Sequence, residues 1–397
     1  MMSTPPGRPH LLRALNDRAA LDLLVEHGPL SRVQICELTG LSKPTASQLL
    51  GRLESAGLVR PVGTSSGGPG RNAVLYAVDG RVAHVAAVDI TPGRVAVAIA
   101  DIAGKLVHET EVRRSRGEKR SPADLVVGAL ATATGPIGLS RGDLASVVVG
   151  LPGAYDAAQD RVTLLDHLHG WSAPGSVATV RDALSPAVVV VENDVNLAAI
   201  AERHRGAGRR VGSFALLWVA SGLGLAVDLE GVLHRGATGG AGEIGYMPVP
   251  ATPPGPRPMD FHDLVGSAAV RRLARDFGVR GRSAADAVAA ASTTADEASN
   301  GFLDEVATRL ASGLATIVAV LDPELVVLTG DICRAGGERL TQRVQRHLHR
   351  LSKLRPSVAV SAVEGNPVLV GALELGLRGA RDALFGSGGH AASQAAR

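Results

Sequence analysis

The start of the chain shows one apolar pattern and the remainder another. From Leu11 to Val59 apolar residues recur at helical spacing. This spacing predicts three short helices, at about residues 11–27, 31–39 and 42–56.

Beyond Tyr76 the pattern changes. Runs of valine and alanine alternate with helical stretches, which is typical of an α/β domain with buried strands. Residues 61–71, PVGTSSGGPGR, are rich in turn formers and separate the two patterns. We therefore predict a small helical domain over residues 10–78 and a large α/β domain over residues 82–386.

The large domain contains an internal repeat. The segments VAAVDITPGRVAVAIADIAGKLVHE and FALLWVASGLGLAVDLEGVLHRG both predict a strand, a turn and a second strand, followed by D-x-x-G-x-L. These last motifs are Asp101, Gly104 and Leu106 in the first copy and Asp228, Gly231 and Leu233 in the second. Any two antiparallel hairpins look alike to some degree, but a duplicated two-lobed fold requires one such hairpin in each lobe, with both loops facing one cleft.

Within residues 30–59 the spacing is that of a helix-turn-helix. Thr39-Gly40-Leu41 predicts a tight turn, after which Ser42 caps the next helix. The residues of that helix predicted to point inward are Ala46, Leu49, Leu50 and Leu53. The polar residues left facing out, which are able to bond base edges or phosphates, are Lys43, Thr45, Ser47, Gln48 and Arg52. An ordinary solvated helix surface would carry similar residues.

The next segment favours DNA binding. Residues 58–60 and 73–76 predict two short strands around a Gly-rich tip, as in a winged helix. The tip lacks bulky side chains, so Arg71 is predicted to enter a narrow minor groove. The alternative is a flexible linker that contains one arginine.

Composition narrows the function only slightly. The chain of 397 residues is 45% hydrophobic and 20% charged, as in globular proteins, and its net charge of +3 permits but does not demand nucleic-acid binding. Cys36 and Cys333 lie far apart in apolar surroundings, so we expect two reduced thiols and no disulfide. We find no signal segment and no long apolar run, which predicts a cytoplasmic protein that does not bind membranes.

The helix-turn-helix, the Gly-Arg wing tip and the Asp-containing hairpin together resemble the ROK family of repressors and sugar kinases. Further family marks are Gly150-Leu151-Pro152-Gly153, Val191–Asn196 (VENDVN), Gly236–Gly245 (GATGGAGEIG), Asp322-Pro323-Glu324, Gly330 and Gly371-Ala372-Leu373. The resemblance covers nearly the whole chain. It implies a winged helix followed by a two-lobed actin-like ATPase domain of the ribonuclease H-like type. Lobe 1 would span about 82–193 and lobe 2 about 194–368, with a C-terminal helix that returns to lobe 1.

The resemblance also implies a sugar site. In the family's kinases a carboxylate of E-N-D-x-N takes a proton from a sugar hydroxyl, and Asp194 occupies that place, with Asn193 beside it. A plain structural alternative is that Asp194 caps the following helix. Gly153, Glu243 and Tyr246 complete the implied effector site, with Tyr246 at the position of the family's histidine.

Both implied phosphate loops are altered. Similar kinases carry D-x-G-G-T in the first hairpin, but here Pro92 stands between Asp89 and Gly93 and has no N–H to offer a phosphate. The second loop keeps only Gly222 and Gly224 of several glycines. We expect no ATP cofactor and no kinase activity, with Asp194 as a vestigial base.

The family's zinc site is also missing. The family places a histidine after G-E-x-G and then a C-x-C-G-x-x-G-C cluster, where this chain has Tyr246 and PVPATPPGPRPMDFHDLVG. We expect no metal, with His262 an ordinary surface residue. A family glutamate that follows the cluster is replaced by a residue near Asp260–Asp263, which makes an ordinary hexose ligand doubtful.

These observations predict a DNA-binding transcriptional regulator, a repressor, whose degenerate kinase-like domain senses a small carbohydrate-like effector. Its expected partners are a double-stranded DNA operator, the effector and further copies of itself in a homodimer or homotetramer. One alternative is an active ATP-dependent sugar kinase that carries a DNA-binding module. Another is a DNA-binding or scaffold protein without an effector, in which the large domain only dimerises.

Overall fold

A computed structural model of the chain describes residues 9–65, 73–115, 119–165, 168–249 and 259–386. These residues fall into two compact units. Unit 1 comprises residues 1–149, 178–190 and 372–397, and unit 2 comprises residues 150–177 and 191–371. The predicted domain and lobe boundaries stay predictions.

The first part of unit 1 is a winged helix. Its elements are α1 (Pro9–His27), β1 (Leu30–Ser31), α2 (Arg32–Thr39), α3 (Lys43–Ser55), β2 (Val59–Ser65) and β3 (Ala73–Val78). The strands form one sheet in the order β1-β3-β2. The three predicted helices are present, and β2 is longer than predicted. Because β2 lies at the sheet edge, Pro61 is tolerated beside a bulge between Pro61 and Gly63.

Local signals explain the short helices. Ser31 begins α2 in a capping box with Gln34, and Gly40 ends it in the left-handed conformation (φ 72°). The Ser42 side chain caps α3, and Pro44 lies in its first turn, where no intrahelical N–H is needed. The sequence alone therefore defines this helix-turn-helix.

The large domain begins with a five-stranded sheet. Its first half contains β4 (His84–Ile90), β5 (Arg94–Asp101), β6 (Leu106–Arg113), α4 (Pro122–Thr134), β7 (Leu144–Leu151), β8 (Ala154–Asp156), β9 (Arg161–Thr163), α5 (Ser176–Leu184) and β10 (Val188–Asn193). The sheet order is β10-β7-β4-β5-β6, and β8 and β9 form a separate hairpin. Every residue of β4 is buried, as the valine and alanine run predicts.

The second half repeats this arrangement. It contains α6 (Asp194–Arg205), β11 (Ser213–Val219), β12 (Leu223–Leu229), β13 (Val232–Leu233), β14 (Pro248–Val249), β15 (Met259–Asp260), α7 (Phe261–Val265), α8 (Ser267–Asp276), α9 (Ala284–Thr293), α10 (Glu297–Leu321), β16 (Leu325–Thr329), α11 (Gly330–Leu351), β17 (Ser357–Val360) and α12 (Pro367–Gly386). The second sheet has the order β13-β12-β11-β16-β17. In both sheets three consecutive antiparallel strands are followed by two later ones, so the predicted internal repeat is present.

Helices cover these sheets. In unit 1, Gly376 of α12 lies so close to Val85 and Val148 that an added Cβ would come within 2.5 Å of Val85. In unit 2, α10 and α11 bury their apolar faces with β11 and β16 in one core. None of the helices in the described ranges is long and apolar enough to cross a bilayer.

Candidate DNA-binding surface and effector site

Helix α3 presents a polar face to solvent. Its four predicted inward residues are all buried. Lys43, Thr45 and Gln48 are exposed and Ser47 is half-buried, within the first two turns of the helix. A recognition helix contacts base edges mainly with its N-terminal residues, so this half of α3 has the composition and exposure that DNA contact requires.

Two of these side chains also have partners in the protein. The Ser47 hydroxyl accepts a hydrogen bond from Arg32 Nη1 at 2.8 Å, and the Thr45 hydroxyl lies 2.8 Å from that of the capping Ser42. Arg32 is exposed at the start of α2, where the first helix of such motifs crosses the phosphate backbone. The pattern of α3 gives no signal for Arg32, because this residue belongs to another helix and only the fold places it beside α3.

Arg52 differs from the other predicted contacts. It lies in the last turn of α3, and its guanidinium makes two hydrogen bonds to Asp17 of α1, from Nη2 at 2.6 Å and from Nε at 3.4 Å. Its assignment as a DNA contact stays a prediction, but the structure gives Arg52 a second role within the protein. The wing residue Arg71 lies outside the described residues.

The first phosphate loop is closed by its own hydrogen bonds. The Thr91 N–H donates to the Arg94 carbonyl at 2.9 Å, and the Arg94 N–H donates to the Thr91 hydroxyl at 3.2 Å. Pro92 has no N–H to offer in this turn. The Arg94 guanidinium lies 3.3 Å from Asp89, which is buried. The turn therefore lacks the row of free N–H groups that cradles phosphate.

The second loop is held through its carbonyls. The Ser267 hydroxyl donates to Ala220 O at 2.9 Å, and His262 Nε2 lies 3.1 Å from Ser221 O. An added Cβ on Gly224 would come within 2.7 Å of Val195, whereas Gly222 faces open space. Packing against α6 is thus sufficient reason for Gly224 to be a glycine. Gly222 keeps the space that a phosphate would need.

Glu192 organises the implied sugar site. Its Oε1 accepts from the Asn193 N–H and from Asn196 Nδ2, both at 2.9 Å. Its Oε2 accepts from Arg235 Nε at 2.7 Å. Since both carboxylate oxygens have partners, Glu192 joins the β10–α6 turn to the loop after β13. The sequence does not reveal this role of Glu192, because Arg235 is distant in the chain.

Asn193, rather than Asp194, caps α6, so the alternative role considered for Asp194 is wrong. Asn193 Oδ1 accepts from the N–H groups of Val195 and Asn196, and its Nδ2 donates to Gly153 O at 3.0 Å. A side chain one residue before the helix is placed to accept from both of these amides, as an N-cap does. Asp194 is then the first helical residue, half-buried, with Oδ1 accepting from the Val195 N–H.

Glu243 is the other carboxylate of the implied site. It is half-buried and precedes a short 3-10 turn, Ile244–Tyr246. Burial raises the pKa of the Glu243 carboxyl above its ordinary value. Tyr246, at the end of this turn, is 61% exposed.

Residues next to Asp194 and Glu243 contact the same strand. Val195, next to Asp194, packs on Gly224, and the carbonyl of Gly242, next to Glu243, accepts from the Leu225 N–H at 2.9 Å. Because Gly224 and Leu225 are consecutive in β12, both acids lie beside the start of that strand. The arrangement offers hydrogen-bond acceptors suited to hydroxyl groups.

The residues near the family's zinc position do not fit a metal. Within the described residues no group of three or more His, Cys, Asp and Glu is arranged to hold an ion. Asp260 and Asp263 instead form the capping box of α7. Burial raises the pKa of the thiol of Cys333, which lies in α11, to about 12, so this cysteine supplies no thiolate to a metal at neutral pH.

Comparison with known proteins extends this description. The model of the ROK family matches residues 85–378, and that of the MarR family matches residues 15–71. The chain is 22% identical over 400 residues to the xylose repressor of Caldicellulosiruptor bescii, with 93% of this chain and 97% of that protein covered.

Two solved structures have the same fold. A ROK family transcriptional regulator, a homologue of the Escherichia coli MLC protein, matches with a TM-score of 0.73 at 18% identity and covers 96% of this chain and 99% of its own. The ROK hexokinase of Thermus thermophilus matches with a TM-score of 0.62 at 22% identity, over 75% of this chain and 99% of its own. The predicted fold class, a winged helix followed by a two-lobed kinase-like domain, is thereby confirmed. Since the family model matches well over half of its residues, the chain belongs to the ROK family.

Proposed function

We propose that this chain is a DNA-binding transcription regulator, a repressor, whose kinase-like domain binds a small carbohydrate-like effector without phosphorylating it. The observation that carries the proposal is the pairing of the helices and strands of a winged helix with a first phosphate loop closed by internal hydrogen bonds. A relative of similar length is named a xylose repressor, which supports a sugar effector.

The DNA-binding surface is the N-terminal half of α3. Lys43, Thr45, Ser47 and Gln48 would contact base edges and phosphates, with Arg71 of the wing in the adjacent minor groove. In a homodimer or homotetramer, two such surfaces would bind half-sites about one helical turn apart or a multiple of it. The site of action is the cytoplasm, where the operator DNA lies.

The effector site is formed around Asp194 and Glu243. Gly153 and Asn193 shape it, since their mutual hydrogen bond fixes the turn that carries Asp194. Tyr246 lies at its exposed edge. Effector binding would shift the population between two arrangements of the domain and thereby change operator affinity.

Selection of duplexes from a random DNA library by the full-length protein tests the proposal. We expect one enriched sequence, and we expect Gln48→Ala to weaken binding to it by about 5- to 150-fold, because a base-edge contact is worth about 1–3 kcal/mol. Glu54→Ala, exposed on the same helix, is the matched control and should not weaken binding. If no sequence is enriched, the DNA-binding function is refuted.

A second candidate function is sugar phosphorylation. Asp194 is retained at the start of α6, and Gly222 faces open space. ATP-dependent phosphorylation of a sugar by the purified chain, abolished by Asp194→Asn, would establish it. Absence of turnover with a sugar that demonstrably binds would exclude it.

A further inference from the structure

Three helices of unit 1 are joined by ion pairs that meet at two adjacent residues of α1. Asp17 accepts two hydrogen bonds from Arg52 of α3. The next residue, Arg18, pairs through Nη2 with Asp382 of α12 at 2.8 Å. Neighbouring side chains of α1 therefore contact the recognition helix and the C-terminal helix.

Arg18 contacts α12 through other interactions besides this ion pair. Arg18 Nη1 donates to the Arg381 carbonyl at 3.4 Å, and its guanidinium lies 5.7 Å from the ring centre of Phe385. Burial alone lowers the pKa of Arg18, but hydrogen bonds with Asp22 and Asp382 outweigh it and raise the pKa. An arginine fixed by several partners orients a helix better than one exposed pair does.

Helix α12 is in turn fixed to the sheet of unit 1. Gly376 packs directly on Val85 and Val148, and Arg381 Nε donates to the Ile102 carbonyl at 2.9 Å. The contacts from Arg52 through Asp17 and Arg18 to Asp382 therefore end on a rigid support.

The position of Arg52 argues against a base contact. It is the tenth residue of α3, about 14 Å along the helix from Lys43 at 1.5 Å per residue. The Asp17 side chain that holds it is only 17% exposed. The pair directs Nε and Nη2 of Arg52 toward α1, although the Arg52 side chain is 41% exposed.

We propose that Asp17 and Arg18 form an ion-pair relay that sets the orientation of α3 relative to α12, with Arg52 a positioning residue that acts through Asp17. The inference rests on the proposed DNA-binding function. It gives Arg52, one of the six DNA contacts predicted from the sequence, a role within the protein instead. Operator affinity then depends on residues of α1 and α12 that do not touch DNA.

A double-mutant cycle on the full-length protein tests the relay, with the duplex that the wild type selects from a random library as the probe. We expect Asp17→Ala and Arg52→Ala each to lower operator affinity by about 3- to 10-fold. The double variant should bind the operator no more weakly than the single variant of lower affinity, because each substitution alone already removes the pair. The slope of log affinity against log salt should stay unchanged, since no phosphate contact is lost. Thermal unfolding of each variant checks the fold.

The opposite pattern would overturn the relay. If Arg52 contacts DNA, Arg52→Ala should lower the salt slope by about one unit, while Asp17→Ala, which frees Arg52, leaves or raises affinity.

Amide hydrogen exchange without DNA separates the relay from the DNA-binding function. Asp382→Ala should accelerate exchange in α1, whereas Arg13→Ala, an exposed arginine of the same helix, should not. Unchanged exchange in α1 for Asp382→Ala would refute the relay even if DNA binding is established. Faster exchange in a protein that selects no DNA would refute only the proposed function.

Discussion

In the segment Glu192–Asn196, side-chain hydrogen bonds fix the β10–α6 turn. Glu192, Asn193 and Asn196 make hydrogen bonds that shape the β10–α6 turn: Glu192 and Asn193 accept from neighbouring N–H groups, and Asn196 donates through Nδ2 to Glu192. Asp194 stands at the start of α6, where the helix dipole favours a carboxylate. A motif that resembles a catalytic signature is thus largely a scaffold for one acidic residue.

Glu243 gives a prediction in which stability and effector binding change in opposite directions. Because its folded-state pKa is raised, the ionised carboxylate destabilises the folded protein at pH values above that pKa. This loss of stability disappears as the pH falls through the folded-state pKa of Glu243 toward the ordinary carboxyl value of 4.5. Glu243→Gln should therefore unfold at a higher temperature than the wild type at pH 7, with the difference shrinking on acidification, and should lose the shift caused by a bound sugar.

Thermal scans between pH 4 and pH 8 check this prediction. Glu364→Gln, at an exposed position of the same unit, is the matched control and should change little at any pH. A Glu243→Gln variant with lower stability at pH 7 would mean that the carboxylate has a stabilising partner, and its assignment to the effector site would fail.

At the scale of elements, two glycines around the recognition helix predict opposite effects of the same substitution. Gly51 is exposed within α3, and Gly57 follows the helix in the left-handed conformation (φ 73°). An added Cβ would meet nothing within 4 Å at either position. The two positions therefore differ in backbone conformation and not in the space available to a side chain. Gly51→Ala should raise the free energy of unfolding by about 0.5–1 kcal/mol, and Gly57→Ala should lower it by about 1–2 kcal/mol.

Urea unfolding of the full-length protein, followed by hydrogen exchange in α3, measures both effects. Each variant serves as the control for the other, because both add one methyl group near the same helix. If Gly51→Ala is stabilising and also weakens DNA binding, the glycine marks close approach of DNA to α3. If Gly51→Ala destabilises the protein, the structure of α3 at this position is wrong.

For the whole molecule, linkage supplies a quantitative test. If an effector changes operator affinity by some factor, the operator must change effector affinity by the same factor, because both ligands act on one equilibrium. Calorimetric titration of the sugar that raises the unfolding midpoint, with and without operator DNA, should give that factor. A factor of one would show that the sugar and the operator do not affect each other's binding, and the proposed regulation would fail.

Magnesium ATP provides the control in the same titration. With the first phosphate loop closed, we expect no change in unfolding midpoint with ATP and a clear rise with the effector, since only ligands that bind the folded state raise it. A rise with ATP as large as that with the sugar would favour the kinase function instead.

The sequence by itself determined the features that depend on neighbours along the chain. Helix caps at Ser31 and Ser42, the turn at Gly40 and the buried face of α3 follow from local hydrogen bonds and helical periodicity. The repeated hairpins were visible because each is contiguous, and the missing N–H of Pro92 needs no structure to be recognised.

Tertiary structure alone decided which distant residues share their polar atoms. It paired Glu192 with Arg235, Arg52 with Asp17 and Arg18 with Asp382, and it made Asn193 rather than Asp194 the cap of α6. No periodicity reveals such pairs, because ion pairs between elements depend on how the helices and loops pack rather than on their spacing in sequence. Composition and spacing therefore indicated which kind of ligand each surface could bind. Packing decided which side chains of that surface have partners within the protein.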